Sequence, residues 1–349
     1  MIRLQRYMTA GLEGPHVQPP TIIGKLQMAI KLEHSTIPLY LYALYSLDED
    51  KNSEIADILQ SVVIEEMLHI TLASNILNAL GGAPVIDESD FIPTYPGALP
   101  GGVEADLTAH LAPFSTDHLK VFLTIEEPEN PLNFPVALGV DPTITIGQFY
   151  AAISKAIGQL PDDSFAKSPR NQVGPELVFG SIVVTDVASA QAAITTIVGQ
   201  GEGTTESPEE GAGQDYAHYY RFMQIEKGHK LVPVPGESDP EKMYAYIGDP
   251  IVLDAAGVYK VPKDPAYLAG STQAAANDSF NYTYTSLLKA LHDLFNGAND
   301  RQQMRRAIGL MMSLKEQAKA MMSGIPDPTV LAGPSFEYRP VNPAAQGVA

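Results

Sequence analysis

Cysteine is absent from this chain of 349 residues, and its absence excludes several kinds of site at once. Without a thiol the chain can form no disulfide, no zinc–thiolate site, no cysteine-ligated iron–sulfur cluster and no cysteine nucleophile. Any metal ion must therefore be bound by carboxylates and imidazoles, which suit hard and borderline metal ions.

Basic residues are also scarce, since 22 Lys and Arg stand against 41 Asp and Glu, for a formal net charge of −19. Nucleic acids and anionic membranes are bound by clustered Lys and Arg, so neither is a predicted partner. No uncharged apolar run reaches the roughly 18 residues of a membrane span. Arg3, Arg6 and Glu13 interrupt the start of the chain, which therefore has no signal-peptide pattern. We predict a cytoplasmic protein with a small-molecule substrate, and a homo-oligomer stays open.

Apolar residues at helical spacing alternate with Pro- and Gly-rich stretches, which predicts a mainly α-helical fold. The predicted helices are 21–47, 52–80, 115–126, 145–159, 186–202, 214–229, 277–296 and 299–323. The short polar turn between the first two predicts an antiparallel hairpin. We predict that residues 20–230 form a four-helix bundle with an irregular crossover at 81–142. Residues 231–349 would form an irregular wrap and two C-terminal helices that pack on the bundle.

One acidic residue interrupts the apolar stripe of the first predicted helix. The residues of this stripe are Leu26, Ile30, Glu33, Ile37, Leu41 and Leu44. A carboxylate at a core-facing position costs free energy unless it is paired, protonated or bound to a metal ion. Glu33 is therefore a candidate metal ligand, and a buried ion pair is the alternative interpretation.

The second predicted helix carries two polar residues on its apolar stripe. The stripe contains Ile55, Ile58, Val62, Glu66, His69, Ala73, Ile76 and Leu80. Glu66 and His69 are three residues apart and share one face, and in an antiparallel hairpin they reach about the same level as Glu33. A single Glu-x-x-His is common by chance. A lone Glu beside a Glu-x-x-His pair, however, is half of a carboxylate-bridged di-metal site in a helical bundle.

The second half of such a site has candidates on two later helices. Asp215 and His218 are three residues apart at the start of the 214–229 helix, and Glu202 ends the preceding helix at about the same level. Gln148 competes with Glu202, but the apolar stripe of its helix lies on another face, so Glu202 is the better candidate. Glu65 and His34 lie off the stripes, where solvation or a hydrogen bond to a ligand is expected.

The chain also resembles a known family. Four segments carry the resemblance: LQMAIKLEHSTIPLYLYALYSL, EEMLH, QGEG and DYAHYYRF. They are similar to the ferritin-like domain family that includes the iminophenyl-pyruvate dimer synthases of bisindole pigment and alkaloid biosynthesis. The resemblance covers about residues 20–230, and the closing AGPSFEY looks like the end of the same family. It implies a ferritin-like bundle with a metal centre, although Asp215 and Gln148 stand where the family pattern has Glu.

These residues together predict a non-haem di-metal oxidoreductase. One or two iron ions, or another divalent metal, would be bound by Glu33, Glu66, His69, Glu202, Asp215 and His218. The centre would activate O₂ or peroxide to oxidise a small organic substrate such as an amino acid or its imine, in secondary metabolism. The alternatives are non-catalytic metal binding or storage, peroxide detoxification, and a helical protein whose metal site has decayed.

Overall fold

The helices dominate the computed structural model, which describes residues 4–14, 16–102, 107–128, 143–202, 208–209, 215–239, 242–324 and 331–339. The helices are α1 (Pro19–Tyr45), α2 (Ser53–Ala79), α3 (Thr116–Glu126), α4 (Ile146–Ile157), α5 (Val187–Glu202), α6 (His218–Lys227), α7 (Thr272–Phe295) and α8 (Arg301–Ser323). Two small antiparallel sheets pair β1 (Leu4–Gln5) with β2 (Thr143–Ile144), and β3 (His229–Pro233) with β4 (Tyr244–Pro250). The prediction of a mainly α-helical fold is confirmed.

The hairpin of α1 and α2 forms the centre of the fold. Two prolines occupy the first turn of α1, where their missing N–H groups lose no intrahelical bond. The helix continues through Pro38 to Tyr45. Apolar residues of both stripes are buried, including Leu26 and Ile30 on α1 and Val62 and Ile76 on α2. Each such side chain contributes roughly 1.5–3 kcal/mol by its burial, which fixes how the two helices face each other.

The other helices surround this hairpin. α4 packs on α5 and α1, and α3 packs on α6, while both α5 and α6 contact α2. The antiparallel pair α7 and α8 packs on the outer side of α1 and α2. Among the described residues, no helix combines the length and the hydropathy that a membrane span requires.

Most helix boundaries lie within two residues of the prediction, and the largest differences are at the starts of α6 and α7. α6 begins at His218 rather than 214, and it ends before Gly228, whose φ of 70° gives a left-handed cap. α7 begins at Thr272 rather than 277, because the Ser271 hydroxyl accepts a hydrogen bond from the Ala274 N–H and caps the helix. These caps lie outside the apolar stripes from which the boundaries were predicted.

The β3–β4 hairpin lies in a region that was predicted to be irregular. Leu231 pairs with Tyr246 in this hairpin and packs in a small cluster with Tyr219 and Tyr220 of α6. Packing on the tyrosines of α6 stabilises the hairpin. This contact is between residues of different elements, so the local residue pattern does not predict it.

Candidate metal centre

Four carboxylates and two histidines meet where α1, α2, α3 and α6 come together. They form two groups of three side chains, and within each group one possible ligand atom per side chain lies within 4.8 Å of the other two. The first ligand group is Glu33 of α1 with Glu66 and His69 of α2. The second ligand group is Glu66 again, with Glu126, the last residue of α3, and His218, the first residue of α6. The fourth carboxylate, Glu65, lies behind His218.

Glu66 is common to both groups, and its two oxygens face different histidines. Its Oε2 lies 3.9 Å from Nδ1 of His69, and its Oε1 lies 3.1 Å from Nδ1 of His218. The two imidazole rings are stacked with their centroids 5.4 Å apart. A carboxylate in this position has the geometry of a bridge between two sites.

Each of the other two carboxylates has one oxygen held by a tyrosine and one directed at a histidine. Tyr150 of α4 donates a hydrogen bond of 2.5 Å to Oε1 of Glu33, whose Oε2 lies 3.5 Å from His69 Nδ1. Tyr40 of α1 donates to Oε1 of Glu126, whose Oε2 lies 3.4 Å from His218 Nδ1. Burial raises the pKa of both tyrosines, and the nearby carboxylates raise it further, so both remain hydrogen-bond donors.

The orientation of both histidines is fixed from behind. Nε2 of His69 lies 3.0 Å from Oε1 of Gln200 on α5, and Nε2 of His218 lies 3.0 Å from Oε2 of Glu65. With the proton of a neutral ring held at Nε2 by this oxygen, the Nδ1 lone pair would face the carboxylates and be available to a metal ion. Both rings therefore present Nδ1 as the atom that can bind a metal ion.

Glu65 is in turn held by Arg221 of α6, whose Nη2 lies 2.8 and 3.0 Å from the two carboxylate oxygens. Burial opposes the ionisation of Glu65. The hydrogen bonds and charges of His218 and Arg221 outweigh it and lower the pKa of the Glu65 carboxyl to about 2. The support behind His218 is therefore a charged pair, while the support behind His69 is a neutral amide.

The electrostatics of the centre fit a bound cation. Oε2 of Glu66 is fully buried and has no hydrogen-bond partner among the described residues, which is unusual for a buried polar atom. Burial raises the pKa of Glu66 well above its ordinary value, and the charges of Glu33 and Glu126 raise it further against the opposing effect of His218. Metal ions beside Glu66 would give this oxygen a partner and neutralise the crowded carboxylates.

A sequence profile described as ferritin-like matches residues 26–227, which is more than half of the chain. The chain belongs to the ferritin-like family. A crystal structure of a ferritin-like protein from Caulobacter vibrioides is similar, with a TM-score of 0.62 and 24% identity over 92% of this chain and 98% of that chain. No curated protein matches the sequence significantly. The expected kinship with iminophenyl-pyruvate dimer synthases stays a prediction.

Four of the six predicted ligands of this ferritin-like chain come together: Glu33, Glu66, His69 and His218. Asp215 does not join them, because it is exposed and lies before the first residue of α6, so the three-residue helical spacing to His218 does not apply. Glu202 ends α5, but its side chain lies outside the described part of the structure, and its role stays a prediction.

Gln148, the competitor of Glu202, is exposed and takes part in the N-terminal cap of α4. Its backbone N–H donates to the Thr145 hydroxyl at 2.9 Å, and its own Oε1 accepts from the Thr145 N–H at 3.2 Å. The later Glu-x-x-His of Glu226 and His229 forms no site, because both side chains are exposed and His229 belongs to β3.

Sequence reasoning missed Glu126, Tyr150 and Gln200. A signal for Glu126 was available, since it follows the buried Phe122 by four residues on the amphipathic α3. Tyr150 and Gln200 act only through residues of other helices, and no local pattern marks them.

The cavity between the ligands is small. Its volume is about 40 Å³, and Glu33, Glu66, His69, Glu126 and Tyr150 are among the residues that line it. A water-sized molecule needs roughly 10–15 Å³ of such volume. Within the described residues, the cavity has room for metal ions and a reactant of a few atoms.

Proposed function

We propose that the chain binds two divalent metal ions, one in each ligand group, with Glu66 as the bridging carboxylate. The observation that carries this proposal is that the two oxygens of Glu66 face Nδ1 of two different histidines, at 3.9 and 3.1 Å. Glu33 and His69 would complete the first site, and Glu126 and His218 the second. Ferritin-like di-metal proteins use a Glu from each of two helices and a Glu-x-x-His pair from each of two others. Among its described residues this chain offers Glu33 and Glu126, one such pair, and His218 on the fourth helix.

The charge of the centre is compatible with two divalent ions. Glu65 is neutralised by Arg221, so among the described residues three carboxylates of the centre, Glu33, Glu66 and Glu126, have no Lys or Arg partner. Two divalent ions balance these three charges and one further anionic ligand. Carboxylates and imidazoles suit iron, manganese and zinc, and we propose iron, one of the redox-active ions of this set.

The reaction we propose is the oxidation of a small organic molecule, such as an amino acid or its imine, at the expense of O₂ or peroxide. A bound iron pair supplies the electrons for that activation. The protein contributes the rest: Gln200 and Glu65 hold the two imidazoles, and Tyr150 and Tyr40 each occupy one oxygen of a terminal carboxylate. The buried surroundings exclude bulk water from the ligands.

A second candidate function is the reduction of peroxide or O₂ without an organic substrate. The cavity of about 40 Å³ favours it, because O₂ or peroxide, each with two heavy atoms, needs less space than an organic substrate. The two functions differ in stoichiometry. Peroxide reduction alone oxidises the bound metal and stops after about one turnover unless a reductant is added, whereas the oxidase consumes peroxide continuously with its organic substrate.

Metal analysis combined with peroxide consumption tests the proposal. Protein loaded anaerobically with Fe(II) should hold about two ions per chain by elemental analysis. Glu66→Ala should lose both ions, since Glu66 belongs to both sites, and it should lose peroxide-dependent absorbance changes with them. Glu226→Ala, which removes an exposed carboxylate of α6, is the matched control and should keep both ions. Two ions retained in Glu66→Ala would contradict the proposal.

A further inference from the structure

The cavity beside the metal centre has a polar part and an apolar part. Besides the ligands and Tyr150, it is lined mainly by apolar residues, and those of α4 and α5 are Ile146, Gly147, Ile197, Val198 and Gly201. Metal ions bind to carboxylates and imidazoles and not to such groups. The apolar part of the cavity is therefore available to a reactant.

Gly201 lies on the face of α5 that points into the protein core. Ile194 and Ile197 of this face are 4% and 3% exposed. Gly201 follows Ile197 by four residues, so it shares this face. The residue before it, Gln200, contacts His69 of the first ligand group. Gly201 therefore lies at the level of the metal centre, and it lines the cavity there.

The missing side chain of Gly201 leaves open space. Among the described residues, a Cβ atom at this position would have no atom of another helix within 4 Å. At Gly82, by contrast, such an atom would come within 2.5 Å of the Leu77 side chain, so the packing there requires a glycine. Gly201 is part of the regular helix α5, whose backbone accepts a side chain. The gap at Gly201 therefore continues the cavity, and a side chain at this position would fill it.

Gly199 of the same helix provides an internal comparison. Two residues correspond to a rotation of about 200° about the helix axis, so Gly199 and Gly201 lie on opposite faces of α5. Gly199 does not line the cavity. A Cβ atom at Gly199 would also have no atom of another helix within 4 Å among the described residues. Both positions therefore have room for a side chain, but only a side chain at 201 would enter the cavity.

We propose that Gly201 determines how large a reactant the metal centre accepts, an inference that rests on the proposed di-metal function. The reactant is a small molecule with a polar end and a short apolar remainder. The polar end faces the ligands, and the remainder lies in the gap at Gly201, beside Ile197 and Val198 of the same cavity wall. A side chain at 201 takes this space and leaves the ligands in place.

Two anions of equal charge and different length test this role. The iron-loaded, oxidised protein is titrated with fluoride, which is a single atom, and with azide, which is a row of three atoms. Binding is followed by the ferric absorption spectrum. Gly201→Leu should weaken azide by about tenfold or more, because the leucine side chain fills the space that azide needs and overpacking is costly. Fluoride should bind this variant as it binds the wild type.

A smaller side chain and the opposite face of α5 supply the controls. Gly201→Ala adds one methyl group and should weaken azide less than Gly201→Leu does. Gly199→Ala and Gly199→Leu make the same changes outside the cavity and should bind both anions as the wild type does. Alanine is a better helix former than glycine, so both alanine variants should keep or raise the Tm of the wild type. All these variants should hold the metal content of the wild type.

Xenon gives a readout that needs no metal ion, because it binds in apolar cavities. Crystals of the metal-free protein under xenon pressure should show a xenon peak beside Gly201 in the wild type and in Gly199→Leu. The peak should be absent in Gly201→Leu, whose side chain occupies the same space.

Equal azide affinity of the wild type and Gly201→Leu, with two ions bound in each, would overturn the role of Gly201 and leave the di-metal function intact. Fluoride weakened as much as azide, or an equal loss in Gly199→Leu, would also overturn it, since neither result depends on reactant size in the cavity. A xenon peak that persists in Gly201→Leu would show that the side chain does not enter the cavity. A wild type that holds no metal would overturn the proposed function and this role with it, even where xenon fills the gap.

Discussion

The two ligand groups share Glu66 but are built differently. The first comes entirely from one antiparallel hairpin, with Glu33 in the middle of α1 and His69 in the middle of α2. The second takes Glu126 from the end of the short α3 and His218 from the start of the short α6. The groups differ also behind their histidines, where a neutral Gln200 supports His69 and the charged pair of Glu65 and Arg221 supports His218.

This difference indicates how each half obtains its geometry. Long packed helices hold the first group in place, and local opening of a helix centre is rare. Helix ends fray more readily, so the side chains of the second group depend on hydrogen bonds to hold their positions. The bonds from Tyr40 to Glu126 and from Glu65 to His218 supply it. We therefore expect substitutions behind the ligands to affect the second site more than the first.

Substitution of each histidine alone should remove one metal site and leave the other. His69→Ala should lose the ion of the first group and keep that of the second, and His218→Ala should do the reverse, because each histidine belongs to one group only. Each variant should hold about one ion per chain against about two in the wild type. Elemental analysis after Fe(II) loading measures this. Loss of both ions in either variant would show that the sites do not bind independently.

The charged support behind His218 should matter more than the amide behind His69. Glu65→Gln keeps the hydrogen-bond acceptor but removes the charge, and such changes behind a metal-binding histidine weaken affinity by about 10–100-fold. Competition with a chelator should show this loss for one of the two ions. Gln200→Glu is the reciprocal variant and should tighten the other ion. An equal loss of affinity for both ions in Glu65→Gln would contradict the expected difference between the two sites.

The stabilising effect of the metal should increase with pH. In the metal-free protein, burial raises the pKa of Glu66 above 4.5, and carboxylate hydrogen bonds outweigh burial and raise that of His218 above 6.5. Protonation of these two groups therefore stabilises the folded, metal-free protein. This stabilisation is complete below the ordinary pKa values and is lost as the pH rises through the higher pKa values of the folded state. Metal binding needs both groups deprotonated. The difference in Tm between loaded and metal-free protein should therefore grow from about pH 5.5 to about pH 8, as calorimetry would show. A difference that shrinks with pH would contradict this.

The smallest effect is expected at Asp215. Since this residue is exposed and precedes α6, Asp215→Ala should leave both ions and the chelator competition unchanged within about 0.5 kcal/mol. Loss of an ion in this variant would mean that Asp215 does bind metal, as the sequence spacing first predicted.

The same contrast explains what the sequence could predict. Glu33, Glu66 and His69 interrupt apolar stripes of long helices, and those stripes alone predict that they meet. Glu126 follows Phe122 at helical spacing but lies in a run of acidic residues and prolines that is typical of a surface turn. Asp215 failed to join because its helix begins three residues later, at a boundary that no periodicity fixes. Tyr150 and Gln200 depend on contacts between distant helices.

Diffraction from crystals of the iron-loaded protein, measured above and below the iron absorption edge, tests the central claim most directly. We expect two anomalous peaks on opposite sides of the Glu66 carboxylate, one beside Nδ1 of His69 and one beside Nδ1 of His218. A single peak, or none between these two histidines, would contradict a di-metal centre bridged by Glu66.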